Sequence, residues 1–214
     1  MYKLSESRYT TDYMTLKGCQ GLMIQKQNNI MILTLCALAI CLNVAVGSLM
    51  THLQMPFLYL DAIGTIFIAF NFSLKYAILT GLSTNLLLAV LFGPLAIPFS
   101  LVSVTVALVA NLCAKKEVTY KRAIIIGVLL AATGALVSAP IRVVLFGGFE
   151  GLQRKPSDLL VITLKASGRK LLIASYWGAF TDSFFDKIFS CLLVVWLGKR
   201  PQLKRYFALN KNSL

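Results

Sequence analysis

Asp61, Arg142, Asp182, Asp186 and Lys187 lie in stretches otherwise built almost entirely from apolar side chains. An ionised group at the centre of a bilayer costs on the order of 2.5–3.5 kcal/mol on insertion scales, so each of these residues needs a counter-ion, water or a ligand. An acid, a base and an amide around one space would orient a small polar molecule by charge and hydrogen bonding. Asn85 and Asn43 add uncharged polar groups, and Tyr176, Trp177 and Phe180 stand about a turn before Asp182, ready to supply an aromatic wall. The candidate substrate-binding residues are therefore Asp61, Asn85, Arg142, Trp177 and Asp182.

Arg142 has two readings: it orients a ligand, or it neutralises Asp61 or Asp182 as a buried ion pair. Under the first, Arg142→Ala weakens ligand binding and leaves the protein inserted. Asp182 and Asp186 are spaced i and i+4 and share a helix face, where they repel unless a cation or a proton intervenes. Lys187 follows Asp186 at about 100° around a helix and points elsewhere. Asp186 and Lys187 read best as interhelical pairing.

Enzyme chemistry finds no footing. No HExxH, GxSxG, GxxxxGK[ST] or dinucleotide fingerprint occurs, and the single histidine, His52, falls in an expected outer loop with no carboxylate or nucleophile beside it. The five cysteines, Cys19, Cys36, Cys41, Cys113 and Cys191, are scattered without metal-ligand spacing and read as packing residues. Neither a metal nor a cofactor is expected. Without an ATP-binding motif, energy for uphill uptake has to come from partners or an ion gradient.

The elements that must position these groups are membrane helices. Hydrophobic residues make up 57% of the chain and charged ones 14%, a balance that a soluble domain of this size could hardly cover with polar surface. The net charge of +13 does not indicate nucleic acid, because Lys and Arg gather at the ends of apolar runs. Six runs, at 30–49, 57–73, 75–93, 96–114, 122–146 and 171–197, approach the ~20 residues needed to cross a bilayer. The flanking basic residues favour an N-in/C-in arrangement. The expected fold is an all-α integral membrane protein, a six-transmembrane-helix bundle. A polar cytoplasmic segment at 1–28, without signal-peptide character, precedes the membrane domain at 29–198, and a basic cytoplasmic tail follows at 199–214. The connection of 24 residues from Gly147 to Lys170 is expected to lie over the outer mouth. At ~1.5 Å of rise per residue, Asp61, Arg142, Asn85 and Asp182 all fall in the outer half of the bilayer.

In the first run Ala37, Cys41 and Ala45 recur every four residues, a small-residue face that lets another helix approach closely. Gly127, Ala131 and Ala135, with Gly134 beside them, form a similar face equally suited to internal packing.

The basic N-terminus, six spans, small-residue first helix, Pro56-Phe57-Leu58-Tyr59-Leu60-Asp61-Ala62-Ile63-Gly64-Thr65, Gly81-Leu82-Ser83-Thr84-Asn85 and Phe92-Gly93-Pro94-Leu95 together resemble the substrate-binding S components of energy-coupling factor (ECF) vitamin transporters. The resemblance covers about residues 28–200. It implies a multi-pass protein of a bacterial cell membrane that captures a vitamin-like molecule on the outer side. It also implies partners: an ECF transmembrane coupling protein and two cytoplasmic ATPases. Ala37, Cys41 and Ala45 would then be the docking face, with Cys41 standing where the family has Ala, and Gly47–Pro56 would be the gating loop. Water-soluble vitamins are too varied for the residues to choose among them. Two other classes compete, a ligand-binding membrane sensor or scaffold and a stand-alone secondary transporter. The tail is too short for an output module, and the two halves show no convincing repeat.

Overall fold

Apolar runs punctuated by Pro, Gly and charge fold into helices throughout, with no strand among the described residues, in a computed structural model that describes residues 29–53, 58–115, 118–147 and 156–200. In chain order the helices are α1 (Asn29–His52), α2 (Ile63–Asn71), α3 (Leu74–Phe92), α4 (Ser100–Cys113), α5 (Tyr120–Phe146), α6 (Pro156–Ala166) and α7 (Leu171–Gly198). Gly93, at φ 109°, ends α3, and Pro94 restarts the chain as a 3-10 turn over Pro94–Ala96.

Among the described residues, four stretches are long and apolar enough to cross a membrane: α1, α3, Pro94–Cys113 and α5. α7, at 28 residues, has ample length, but Asp182, Asp186 and Lys187 interrupt its apolar character. The second expected span departs most from its apolar run. Only nine residues of it are helical, about 14 Å at the usual rise, and Leu58–Leu60 approach them as non-helical chain. Leu60 takes a positive φ of 52°, a conformation that costs a non-glycine residue energy and must be held by its surroundings.

Two further expectations are corrected. α1 continues through His52, so His52 and the first part of the expected gating loop, Gly47–His52, are helical rather than loop. The expected outer connection contains α6, which packs on α7, while its stretch 148–155 lies outside the described residues. The polar segment expected at 1–28 and the tail from 201 onward also lie outside them.

Contacts fix the helix directions. α1 and α3 run parallel, since Cys36 meets Tyr76 near one end and Asn43 meets Thr84 further along both. α2 runs back between them, with Asp61 beside Gly47 and Gly64 against Ala39. α5 and α7 pack antiparallel along their length, Gly127 meeting Ile188 and Ser175 meeting Ala139. Small residues make these approaches possible. A Cβ on Gly127 would stand 2.6 Å from Ile188 Cα, and one on Gly64 would overlap the backbone of Ala39. Gly127, Ala131, Gly134 and Ala135 are all on the buried face of α5.

Around an apolar core, large apolar side chains also cover the outside while several polar groups are buried. Val90, Leu136 and Val144 are 77%, 68% and 82% exposed, while Asn43, Asp182 and Asp186 are 1–2% exposed. Apolar side chains outward and paired polar groups inward suit a hydrocarbon surround, in which every interior polar group has to find a partner within the protein. The chain reads as an integral membrane protein. Ala37, Cys41 and Ala45 lie on the outward side of α1.

Candidate functional site

The polar interior divides into separate clusters, each at a helix contact. On the α5–α7 contact, Arg142 Nη1 donates to Asp182 Oδ2 at 3.0 Å, with both side chains buried. Helical side chains lean toward their own N-terminus, so in an antiparallel pair Arg142 leans down α5 as Asp182 leans up α7. This is the pairing with Asp182 that one of the two sequence readings of Arg142 anticipates.

Between α3 and α4, Asn85 Nδ2 donates to Ser103 Oγ at 2.6 Å and to Gly81 O at 3.1 Å. Asn43, on α1, ties three helices at once: Nδ2 donates to Thr65 Oγ1 at 3.0 Å and Thr84 Oγ1 at 3.2 Å, and Oδ1 accepts from Gly64 N at 2.7 Å. Trp177 is exposed on α7, edge-on to Tyr176 and Phe180.

The most elaborate cluster joins α7 to the stretch before α2. Asp186 Oδ1 accepts the backbone N–H groups of Tyr59 at 3.0 Å and Leu60 at 2.6 Å. Its other oxygen meets Lys187 Nζ at 2.6 Å, and the same ammonium reaches Asp61 Oδ1 at 3.0 Å. The expectation that Lys187 points away from Asp186 is thereby corrected, because four methylenes let the Nζ fold back from a Cβ that starts off in another direction. Two carboxylates thus share one ammonium. Asp186 also satisfies two backbone donors that the positive φ at Leu60 removes from any helix.

Asp61 is the partly open member, its side chain 53% exposed, and it forms part of the wall of a cleft of about 580 Å³. The remaining wall comes from the ends of α1 and α3 and from Tyr59: Asn43, Gly47, Ser48, Thr51, His52, Leu88 and Phe92. Asp61 fits there because Gly47 carries no side chain; a Cβ would sit 3.2 Å from that of Asp61. Ser48 Oγ is buried with no hydrogen-bond partner among the described residues. Of the sequence candidates the cleft includes Asp61 alone, while Asn85, Arg142, Asp182 and Trp177 stand elsewhere. A usable signal for the missed residues was the spacing of Asn43, Gly47 and Thr51, with Ser48 and His52, at four-residue intervals on one face of α1. It emerges only once α1 is extended past residue 49.

Among the described residues no three His, Cys, Asp or Glu side chains gather as metal ligands, and Cys36, Cys41, Cys113 and Cys191 are free thiols.

A cleft with apolar walls, hydroxyls, an imidazole and one carboxylate has the make-up of a small-molecule site. No protein-family model, curated protein or solved structure matches the chain. The reading of its role therefore rests on its own residues and geometry.

Proposed function

We propose that this chain is the substrate-binding membrane subunit of an uptake system of the ECF type, holding a vitamin-like micronutrient in the Asp61 cleft until ATPase-driven partners complete its passage. The observation that carries the proposal is the cleft itself, whose volume of about 580 Å³ falls in the range of ~300–1,000 Å³ usual for small-ligand pockets.

In this reading the chain crosses the membrane six times with both ends inside, in a bacterial cell membrane. The parallel run of α1 and α3 supports it, since the intervening stretch has to return across the bundle. The non-helical Leu58–Leu60 fits a second passage because it is buried in protein with Asp186 satisfying its N–H groups, the condition under which irregular backbone is tolerated at membrane depth. Basic residues mark the opposite end: Lys75 opens α3, Lys121 and Arg122 open α5, and Lys199 lies 3.7 Å over the Tyr120 ring. With that end inside, the cleft opens outward. The outward face carrying Ala37, Cys41 and Ala45 then suits docking of the coupling protein.

The test is to purify the chain alone, identify any retained metabolite by native mass spectrometry, and measure its uptake with and without ATPase partners. Tight binding without transport by the lone chain is expected. Ion-driven uptake by the lone chain would make it a secondary transporter and overturn the proposal.

A further inference from the structure

We infer that the end of the bundle where α5 begins and α7 finishes binds an anionic phospholipid, held by its headgroup phosphate across the α5–α7 seam. The inference is independent of what the cleft holds. Two stacked pairs carry it. Lys199, the residue that follows α7, places its Nζ 3.7 Å over the Tyr120 ring at the start of α5, and Arg200 Cζ lies 4.1 Å over the Trp196 ring. The first contact crosses the seam from one helix to the other. Because Lys199 and Arg200 are consecutive, they bring two cations to one place. A ring face attracts a cation without cancelling its charge, so both stay available to an anion. Lys121, exposed beside Tyr120, adds a third.

No carboxylate among the described residues stands at this end. The described acids are Asp61, Asp158, Asp182 and Asp186. Asp186 lies roughly 20 Å back along α7 from Lys199 at the usual helical rise, with Asp61 bonded beside it through Lys187 and Asp182 a turn further away. Asp158 belongs to α6, which leads into the opposite end of α7. Cations without a neighbouring carboxylate favour a headgroup of net negative charge over a zwitterionic one, whose own ammonium they repel. The surface leading away from them is apolar and open: Tyr120 and Trp196 are exposed, and Ile124, a turn into α5, and Phe189, two turns back along α7, continue the same faces and are exposed too. Amphipathic rings beside cations, with apolar side chains beyond, match a lipid lying along the bundle with its acyl chain on Ile124 and Phe189.

The test titrates the full chain, in detergent micelles, with phosphatidylglycerol or with phosphatidylcholine of the same acyl chains. Binding is read by native mass spectrometry and by the rise in melting temperature with lipid concentration. Phosphatidylglycerol is expected to bind about tenfold or more tighter than phosphatidylcholine. Lys199→Gln with Arg200→Gln is expected to cut that preference to about twofold or less. Lys165→Gln with Lys170→Gln, which removes the same charge from exposed positions before the opposite end of α7, is expected to leave it unchanged. Lys121→Gln keeps both stacked pairs and is expected to weaken phosphatidylglycerol by about threefold. Glycerol 3-phosphate, which has the headgroup chemistry without acyl chains, is expected not to displace the lipid. Equal affinity for the two lipids overturns the assignment and leaves this face to a partner helix. Equal loss of preference from the two paired substitutions overturns it in favour of diffuse charge. Displacement by glycerol 3-phosphate at concentrations comparable to the lipid overturns it in favour of a soluble phosphate.

Discussion

Lys187 Nζ touches Asp61, 126 residues earlier in the chain, while holding its immediate neighbour Asp186 at 2.6 Å. One ammonium thereby fixes both the last helix and the entry to the second one. Removing one partner of a buried ion pair typically costs about 3–5 kcal/mol because a charge is left uncompensated. Lys187→Met is expected to lower the melting temperature of the detergent-solubilised protein by a loss in that range, and Lys187→Met combined with Asp61→Asn to lower it less than the two single losses added together. Additive losses would mean that the contact is energetically silent.

Arg142 and Asp182 make a second pair, and here the geometry redirects the sequence expectation for Arg142→Ala. With Arg142 outside the cleft, its truncation acts through stability, again by about 3–5 kcal/mol. Replacing both partners together, Arg142→Met with Asp182→Leu, is expected to recover most of the melting temperature with ligand affinity unchanged. A loss of affinity in a well-folded double variant would return Arg142 to the binding site.

Gly127 and Gly134 lie on the same helix and provide a matched comparison. Gly127→Ala drives a methyl into the Ile188 backbone at 2.6 Å and is expected to destabilise by about 1–3 kcal/mol, the usual range for overpacking. Gly134→Ala meets only Val102 Cγ1 at 3.8 Å and is expected to be neutral or mildly stabilising. Thermal melting of the two variants side by side checks both the contact and the antiparallel register of α5 and α7.

Asn43→Leu removes the amide joining α1 to Thr65, Thr84 and the Gly64 N–H. At roughly 1–3 kcal/mol for each buried donor left unsatisfied, the Gly64 N–H alone makes this a substantial loss. Faster proteolysis and hydrogen exchange in 58–71 are expected, with α5 and α7 protected as in the wild type. Uniform loosening of every helix would contradict a role confined to the α1–α2–α3 contact.

The long apolar helices were legible in the sequence because length and hydropathy determine them, and α1, α3 and α5 begin and end within a few residues of their apolar runs. The short, broken second helix was not. Hydropathy reads 57–73 as one run, whereas the departure from helix at Leu60 depends on Asp186, which is distant in sequence. α6 was passed over although its signals were present, Pro156 at the first helical position and Asp158 in the first turn. Of the candidate site, Asp61 was found by its charge in an apolar run, but its partner was missed. A Cβ direction on a helix says little about where the tip of a long lysine comes to rest.

The two peptide N–H groups held by Asp186 also impose an order on biogenesis. At roughly 5–20 residues per second, the 127 positions separating Tyr59 from Asp186 correspond to about 6–25 s of synthesis. During that interval the turn into α2 lacks its acceptor and the cleft lacks a finished wall. A nascent chain halted before residue 182 would hold α1, α3 and α5 while the turn into α2 remained provisional, so the Asp61 cleft is completed only when α7 is in place.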